Sequence, residues 1–397
     1  MLSLLRKGRF RWMWAGQTAS TLGNRVQGIG LVWLVLTLTD SPLALSSVLI
    51  AQSVPSAALM LLGGAVSDRL APRAAMLLSN VVQALLCAVL MALVVTHHAA
   101  LWQLYPIAAL MGACGAFFTP AFTAIVPELV DGEALAPANA LVGTGEQVAE
   151  LAGPTLGGII VSALGTGGAF ALNGLSFLAG AAGVLPCPVR GERGPQRGIW
   201  RSIAQGLRHA RRSPELLLVL GVVSADALTY TGVFAVGLPL VARDGGHGAF
   251  GLGLLGLSWG LGQLAGAVSA GITGLPRRWG VLLIIMTVAG ACAFAVLGLA
   301  HGLPAPMVVL VLLGFGAAYS SDIALPTWLQ RTTPASLLGR VGSLIGLCQG
   351  ALGPISMAAF GALAERGRSP AFLACAVVML LTALLLALAG PGRRLQI

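Results

Sequence analysis

The chain has 397 residues, 57% of them hydrophobic and only 9% charged, with a mean hydropathy of +0.89. No water-soluble core absorbs that much apolar side chain, which excludes an ordinary soluble enzyme or binding domain. The formal charge of +10 suggests nucleic acid until the basic residues are placed along the chain.

A helical membrane crossing takes roughly 20 apolar residues, because lipid offers no partner to an unpaired backbone group. Windows of that length predict twelve spans. Six fall in the first half: Phe10–Leu38, Leu43–Val66, Ala74–Thr96, Leu101–Phe118, Pro137–Leu164 and Ala169–Pro186. Six fall in the second: Glu215–Val241, Phe250–Thr273, Gly280–Ala300, Pro306–Pro326, Leu337–Ala364 and Ala371–Leu388. The fold class expected is an all-α polytopic membrane protein.

Nineteen of the 23 basic residues then lie on one side. They are Arg6, Lys7, Arg9 and Arg11 at the N-terminus, Arg69 and Arg73 in the second loop, seven arginines between Arg190 and Arg212, then Arg277, Arg278, Arg331, Arg340, Arg393 and Arg394. Arg243, Arg366 and Arg368 lie opposite, and Arg25 lies inside the first span. The positive-inside rule puts both termini in the cytoplasm. The basic excess orients the protein and needs no nucleic-acid partner. The six cysteines sit in spans or at their ends without a CxxC pair, and read as small packing residues. The N-terminus lacks a small-residue cleavage site and reads as a retained first helix.

The polar, Arg-rich stretch Val189–Pro214 divides the chain into residues 1–189, a basic cytoplasmic linker 190–214, and residues 215–397. Gly198–Arg212 reads as a basic amphipathic helix with Trp200, Ile203 and Leu207 on one side, suited to anionic headgroups, with a regulatory or partner-binding role as the alternative. Gly153-Pro154 in the fifth span recurs as Gly353-Pro354 in the eleventh. An internal repeat of that size is the mark of secondary transporters, whose substrate site lies near the midplane between two bundles.

The loop Gly64-Ala65-Val66-Ser67-Asp68-Arg69-Leu70-Ala71-Pro72-Arg73 resembles the signature loop of the major facilitator superfamily. Gly153-Pro154-Thr155-Leu156-Gly157-Gly158 resembles the fifth-helix motif of exporters in that superfamily. Phe10–Gln17, Thr119–Asn139 and Ala169–Phe177 are similar to the bacterial drug and siderophore exporters, a branch with multidrug, macrolide and enterobactin efflux proteins. The resemblance implies two pseudo-symmetric six-helix bundles in a bacterial inner membrane. It further implies a cytoplasmic latch of Gly64, Asp68, Arg69 and Arg73, and a helix-flexing motif at Gly153, Pro154, Gly157 and Gly158. The chain departs from the pattern at Ala71 and Pro72, in a second-half loop (Gly274–Arg278) without an Asp-Arg pair, and in a fourth span without Arg.

Ionisable side chains inside a span are costly and mark functional candidates. Five stand out: Arg25, Glu146, Glu150, Asp226 and Asp322. Arg25, Glu150 and Asp226 fall roughly 18–23 Å from the cytoplasmic ends of their spans, at the rise of a helix. Asp322 falls nearer the cytoplasmic mouth. Glu146 and Glu150 share a helix face, and two such carboxylates in a low-dielectric site do not both ionise at neutral pH. Arg25 would favour ionisation, either tuning proton coupling or forming a structural pair that fixes helix register. One arginine against four carboxylates suits neutral, zwitterionic or cationic amphipathic compounds better than polyanions. Phe117, Phe118, Tyr230, Phe234, Trp259, Phe315 and Tyr319 are candidate cavity aromatics, each equally at home in packing. Gly256/Gly260 and Gly262/Gly266 read as close helix packing.

No cofactor, metal or ATP site is expected, since neither ligand spacing nor a phosphate loop is present. The expectation is a secondary transporter, not an enzyme, that exports amphipathic drug-like or siderophore-like molecules by proton coupling. It would work as a monomer, with a small-molecule substrate, protons and the lipid bilayer as its partners. An importer or uncoupled permease of the same fold is the alternative. A membrane-embedded enzyme is a further alternative, disfavoured because no cluster of acid, base or metal ligands appears at an interface.

Overall fold

The computed structural model describes residues 8–62, 71–187, 207–208, 211, 213–275 and 279–389, and every regular element among them is helical. Gly64, Asp68 and Arg69 of the expected latch, and nearly all of the expected linker helix, lie outside the described residues. Among the described residues, ten stretches are long and apolar enough to cross a membrane. α1 (Gly8–Thr39) is not among them, because Gln17, Asn24, Arg25 and Gln27 dilute its apolar run. The chain folds into two compact units, one of Met1–Ala44, Val48–Gln196 and Gly248–Gly253, the other of Leu45–Ser47, Arg197–His247 and Leu254–Ile397.

The first unit contains α1, most of α2 (Pro42–Leu62), α3 (Pro72–Val95), α4 (Leu101–Leu129) and α5 (Leu135–Val184). α4 continues eleven residues past the expected end at Phe118, through Pro120 and Pro127. Membrane helices tolerate such prolines better than soluble ones do, and along this stretch the hydroxyls of Thr119 and Thr123 donate back to the carbonyls of Gly115 and Thr119. α5 joins the fifth and sixth predicted spans end to end. Gly165 breaks it with φ 70° and ψ 178°, and because nothing surrounds that position, glycine is needed there for its backbone conformation and not for space.

The two arms of α5 grip α1, and glycines set the distance. On α1, methyl groups at Gly16, Gly23 and Gly30 would meet Gly180 Cα at 3.2 Å, Ser176 Cβ at 2.9 Å and Ala169 Cβ at 3.0 Å, all on the second arm. On the first arm, methyl groups at Gly145 and Gly157 would meet Thr18 Oγ1 at 2.6 Å and Val26 Cα at 3.1 Å. Without a hydrophobic drive between helices in lipid, such close backbone approach is the main source of packing attraction.

The second unit holds α6 (Pro214–Gly232), α7 (Leu238–Asp244), most of α8 (Gly248–Thr273), α9 (Trp279–Leu299), α10 (Pro304–Ala317), α11 (Leu325–Thr332), α12 (Ala335–Ala364) and α13 (Arg368–Leu388). Wide π-helical turns, Val233–Gly237 and Ala318–Ala324, join α6 to α7 and α10 to α11. Each runs into a proline, Pro239 or Pro326, which has no N–H and crowds the carbonyl four residues earlier. Leu238 and Leu325 accordingly donate five residues back, to Val233 and Ser320. At the first of these turns Ser356 of α12 has entered the helix ladder. Its hydroxyl donates to Leu228 O at 2.7 Å and accepts from Gly232 N–H at 2.8 Å, replacing the bond those two groups would share.

α8 and α10 cross at reciprocal glycines. Methyl groups at Gly262 and Gly266 would meet Phe315 N and Phe315 Cα at 3.0 Å, and one at Gly314 would meet Gln263 N at 3.0 Å. Gly28 of α1, by contrast, has open space around it. Gly314→Ala is therefore expected to cost roughly 1–3 kcal/mol by overpacking, whereas Gly28→Ala should be neutral or gain up to about 1 kcal/mol of helix propensity. Melting of the detergent-purified variants checks this: Gly314→Ala should melt several degrees lower and Gly28→Ala should not.

Candidate functional site

A cavity of about 600 Å³ opens within the second unit. α6 contributes Asp226 and, one turn on, Tyr230; α8 contributes Trp259 and Gln263 at the same helical spacing. α9 brings Met286, Thr287 and Cys292, and α13 brings Met379. The end of α10 and its π-helical turn supply Phe315, Gly316, Ser320, Ser321 and Asp322, and α12 supplies Gln349. Among the described residues, the lining contains no Lys, Arg or His.

Two of the five predicted charged residues line this cavity. Gln263 Nε2 donates to Asp322 Oδ2 at 3.3 Å, which fixes that carboxylate relative to α8. Asp322 belongs to the widened turn itself, and Pro326 follows it at the distance that leaves its carbonyl without the usual helix donor. The Asp226 side chain is half-buried, and among the described residues no side chain pairs with it. An uncompensated carboxylate among apolar groups needs a proton or a cation.

Aromatic rings wall one side. Tyr230 stands 6.4 Å from Trp259 and 4.9 Å from Phe294 by ring centroid, and Phe234 packs edge-on to Trp259 at 4.7 Å. Of the predicted cavity aromatics, Tyr230, Trp259 and Phe315 line the space, while Phe234 stands behind them as support. Phe118 stacks on Phe122 in the first unit. The neutral residues Gln263, Gln349, Thr287, Met286 and Met379 do not stand out in the sequence, where an isolated amide, hydroxyl or thioether in an apolar span carries little signal.

The other charged candidates belong to the first unit. Arg25 Nη2 pairs with Glu150 Oε2, both side chains part-exposed at 49% and 39%. The exporter motif serves this pair directly: a methyl at Gly153 would fall on Arg25, with Arg25 Cγ 2.8 Å away. Gly157 is buried against Val26 and Ile29, and Gly158 and Pro154 follow the same helix. Glu146 lies one turn earlier and is exposed. Glu146 and Glu150 thus lie in one unit and Asp226 and Asp322 in the other. Beside Arg25, Asn173 donates to Gln27 and to Asn24 (3.2 Å), and the Cys87 thiol donates to Gln27 Oε1 at 3.0 Å. Arg73, the described member of the expected latch, starts α3 with its Nε buried and unpaired among the described residues. Among those residues no group of three His, Cys, Asp or Glu side chains is placed to hold a metal.

A double-mutant cycle on Arg25→Gln and Glu150→Gln should give a coupling of up to about 1 kcal/mol, the range of part-exposed pairs. The same cycle in a Gly153→Ala background should give none, because the added methyl displaces Arg25. Thermal melting of the eight proteins measures both values.

The sequence profile of the family described as transmembrane secretion effector matches residues 1–394. The multidrug efflux pump Tap of Mycolicibacterium fortuitum is 27% identical over 385 residues, covering 93% of this chain and 92% of that protein. The enterobactin exporter EntS of Citrobacter koseri is 29% identical over 252 residues, covering 59% and 57%. Among solved structures, a POT family transporter in complex with a thioalcohol-conjugated peptide superposes with a TM-score of 0.73 over 96% of both chains at 12% identity, a likeness of fold. With a helical, membrane-spanning fold and a profile match along nearly its whole length, the chain belongs to the transmembrane secretion effectors of the major facilitator superfamily.

Proposed function

We propose that this membrane transporter is a proton-coupled exporter of cationic amphipathic small molecules, and that its substrate cavity is the one holding Asp226 and Asp322. The observation that carries the reading is the Asp226 carboxylate, unpaired among the described residues, in a cavity that Asp322 also lines and whose described lining has no basic residue. A cation with an aromatic body fits such a wall, through charge at the carboxylates and through the faces of Tyr230 and Trp259. A polyanion does not fit it. Export agrees with the names of the efflux pump and exporter among the relatives.

In this reading the twelve crossings are α1, the two arms of α5 counted separately, and the other membrane-length stretches. They form two six-helix bundles, residues 1–189 and 215–397, joined by the linker 190–214. Both termini are cytoplasmic, by the distribution of Arg and Lys in a bacterial inner membrane. Protons and substrate exchange at Asp226 and Asp322, while Glu146 and Glu150, with Arg25 tuning the latter, form a second proton-responsive group. Gly64, Asp68, Arg69 and Arg73 latch the cytoplasmic side, and Gly153, Pro154, Gly157 and Gly158 allow α5 to move against α1. Protein monomers suffice, and no cofactor takes part.

Inside-out vesicles carrying the protein, energised by a proton gradient and given ethidium, test the reading. Wild type should accumulate the dye only while the gradient stands, and Asp226→Asn should lose at least tenfold of that uptake. Glu150→Gln should keep most of that uptake. Gradient-independent uptake, or Asp226→Asn transport equal to wild type, would contradict the proposal.

A further inference from the structure

The cavity with the two carboxylates adjoins a second one of about 410 Å³, whose walls include Leu275 at the end of α8, Leu282 of α9, and Tyr319. Met286, Phe315 and Gly316 line both spaces. Among these three shared residues, the Met286 thioether is the flexible one. It lies flat on Gly316, where the place of a Cβ is already taken by Met286 Sδ, with Met286 Cγ 3.6 Å and Cε 3.7 Å away. Glycine at 316 gives the sulfur a bare backbone seat. Methionine has three rotatable bonds and no branch, so it leaves such a seat at small cost.

The two spaces differ in character. The first carries Asp226, Asp322 and Gln263. In the second, none of the described lining residues is charged, and the hydroxyls of Thr273 and Tyr319 are bonded to each other at 2.5 Å beside Leu275, Leu282, Met286 and Phe315. The widened turn sorts its side chains accordingly, with Ser320, Ser321 and Asp322 toward the first space and Tyr319 toward the second. Among the described residues, carboxylates line one space and only uncharged side chains the other, which matches a cation with an uncharged tail.

We propose that the two cavities are one binding tract for a cation with a linear apolar tail, and that Met286 on Gly316 is the specificity-determining residue that yields to the tail. The proposal rests on the reading of the first cavity as a cation site. The head occupies the Asp226–Asp322 end, and the tail displaces the thioether and runs along Leu282 and Leu275.

Binding of butyl-, octyl- and dodecyltrimethylammonium to the protein in nanodiscs of one lipid composition tests it. Comparing variants in the same lipid cancels the partition of free amphiphile. Wild-type affinity should rise by up to roughly fourfold per buried methylene, then level off once the tract is full. Leu282→Trp, which fills the second cavity, should lower the dodecyl-to-butyl affinity ratio at least tenfold with butyl binding still measurable. Leu275→Trp should do the same from the other wall, which guards against one variant that fails to fold. Met286→Ala should keep the ratio at or above wild type. An unchanged ratio in both tryptophan variants would overturn the tract while leaving the cation site standing. Failure of wild type to bind any member of the series would contradict the cation site itself, and the tract with it.

Discussion

A carboxylate carried into a membrane span must find a compensating charge, and the two units meet that demand in different ways. In the first, the compensation is built in: Arg25 lies against Glu150, and glycine at 153 leaves room for the arginine stem. In the second, Asp226 faces a cavity whose described lining has no base to offer, and Asp322 holds the amide of Gln263. A charge that the protein leaves uncompensated is one that a ligand or a proton completes, and the transport reading follows from that asymmetry.

Backbone geometry decides where those charges sit. α1 lies between the two arms of α5 at a separation that only glycine permits at Gly16, Gly23, Gly145 and Gly157, which places Arg25 within reach of Glu150. In the second unit, Pro239 and Pro326 force wide turns, one of them opened further by the hydroxyl of Ser356. Asp322 sits inside such a turn and Asp226 precedes the other by two helical turns, so the helices that bear the carboxylates are also the irregular ones. Widened turns of this kind recur at functional sites because they re-aim side chains without breaking the helix.

Much of this is legible in the amino-acid order. Span positions follow from hydropathy because a bilayer leaves the backbone few options, and the charged residues announce themselves by their cost. What stays hidden depends on partners distant in sequence. Nothing local says that Glu150 meets Arg25 while Glu146 does not, or that Asp322 lines the same cavity as Asp226. Gln263, Met286 and Met379 are silent because a neutral side chain in an apolar run costs little and so stands out little. The break at Gly165 reads in the sequence only as a gap between spans, since a glycine among other glycines gives no sign of its backbone angle. The extension of α4 through Pro120 is hidden because proline reads as a stop in water, where no neighbouring helix supports the chain.

Exchange of proton for cation at Asp226 and Asp322 is the centre of this account. The most direct measurement is proton release on substrate binding, by adding ethidium to purified protein in weakly buffered solution at near-neutral pH. Wild type should release up to about one proton per bound cation, with weaker binding at lower pH as protons compete for the same carboxylates. Release should vanish in Asp226→Asn with Asp322→Asn. Proton release that persists undiminished in that double variant, or cation binding by wild type that neither releases protons nor responds to pH, would contradict the account.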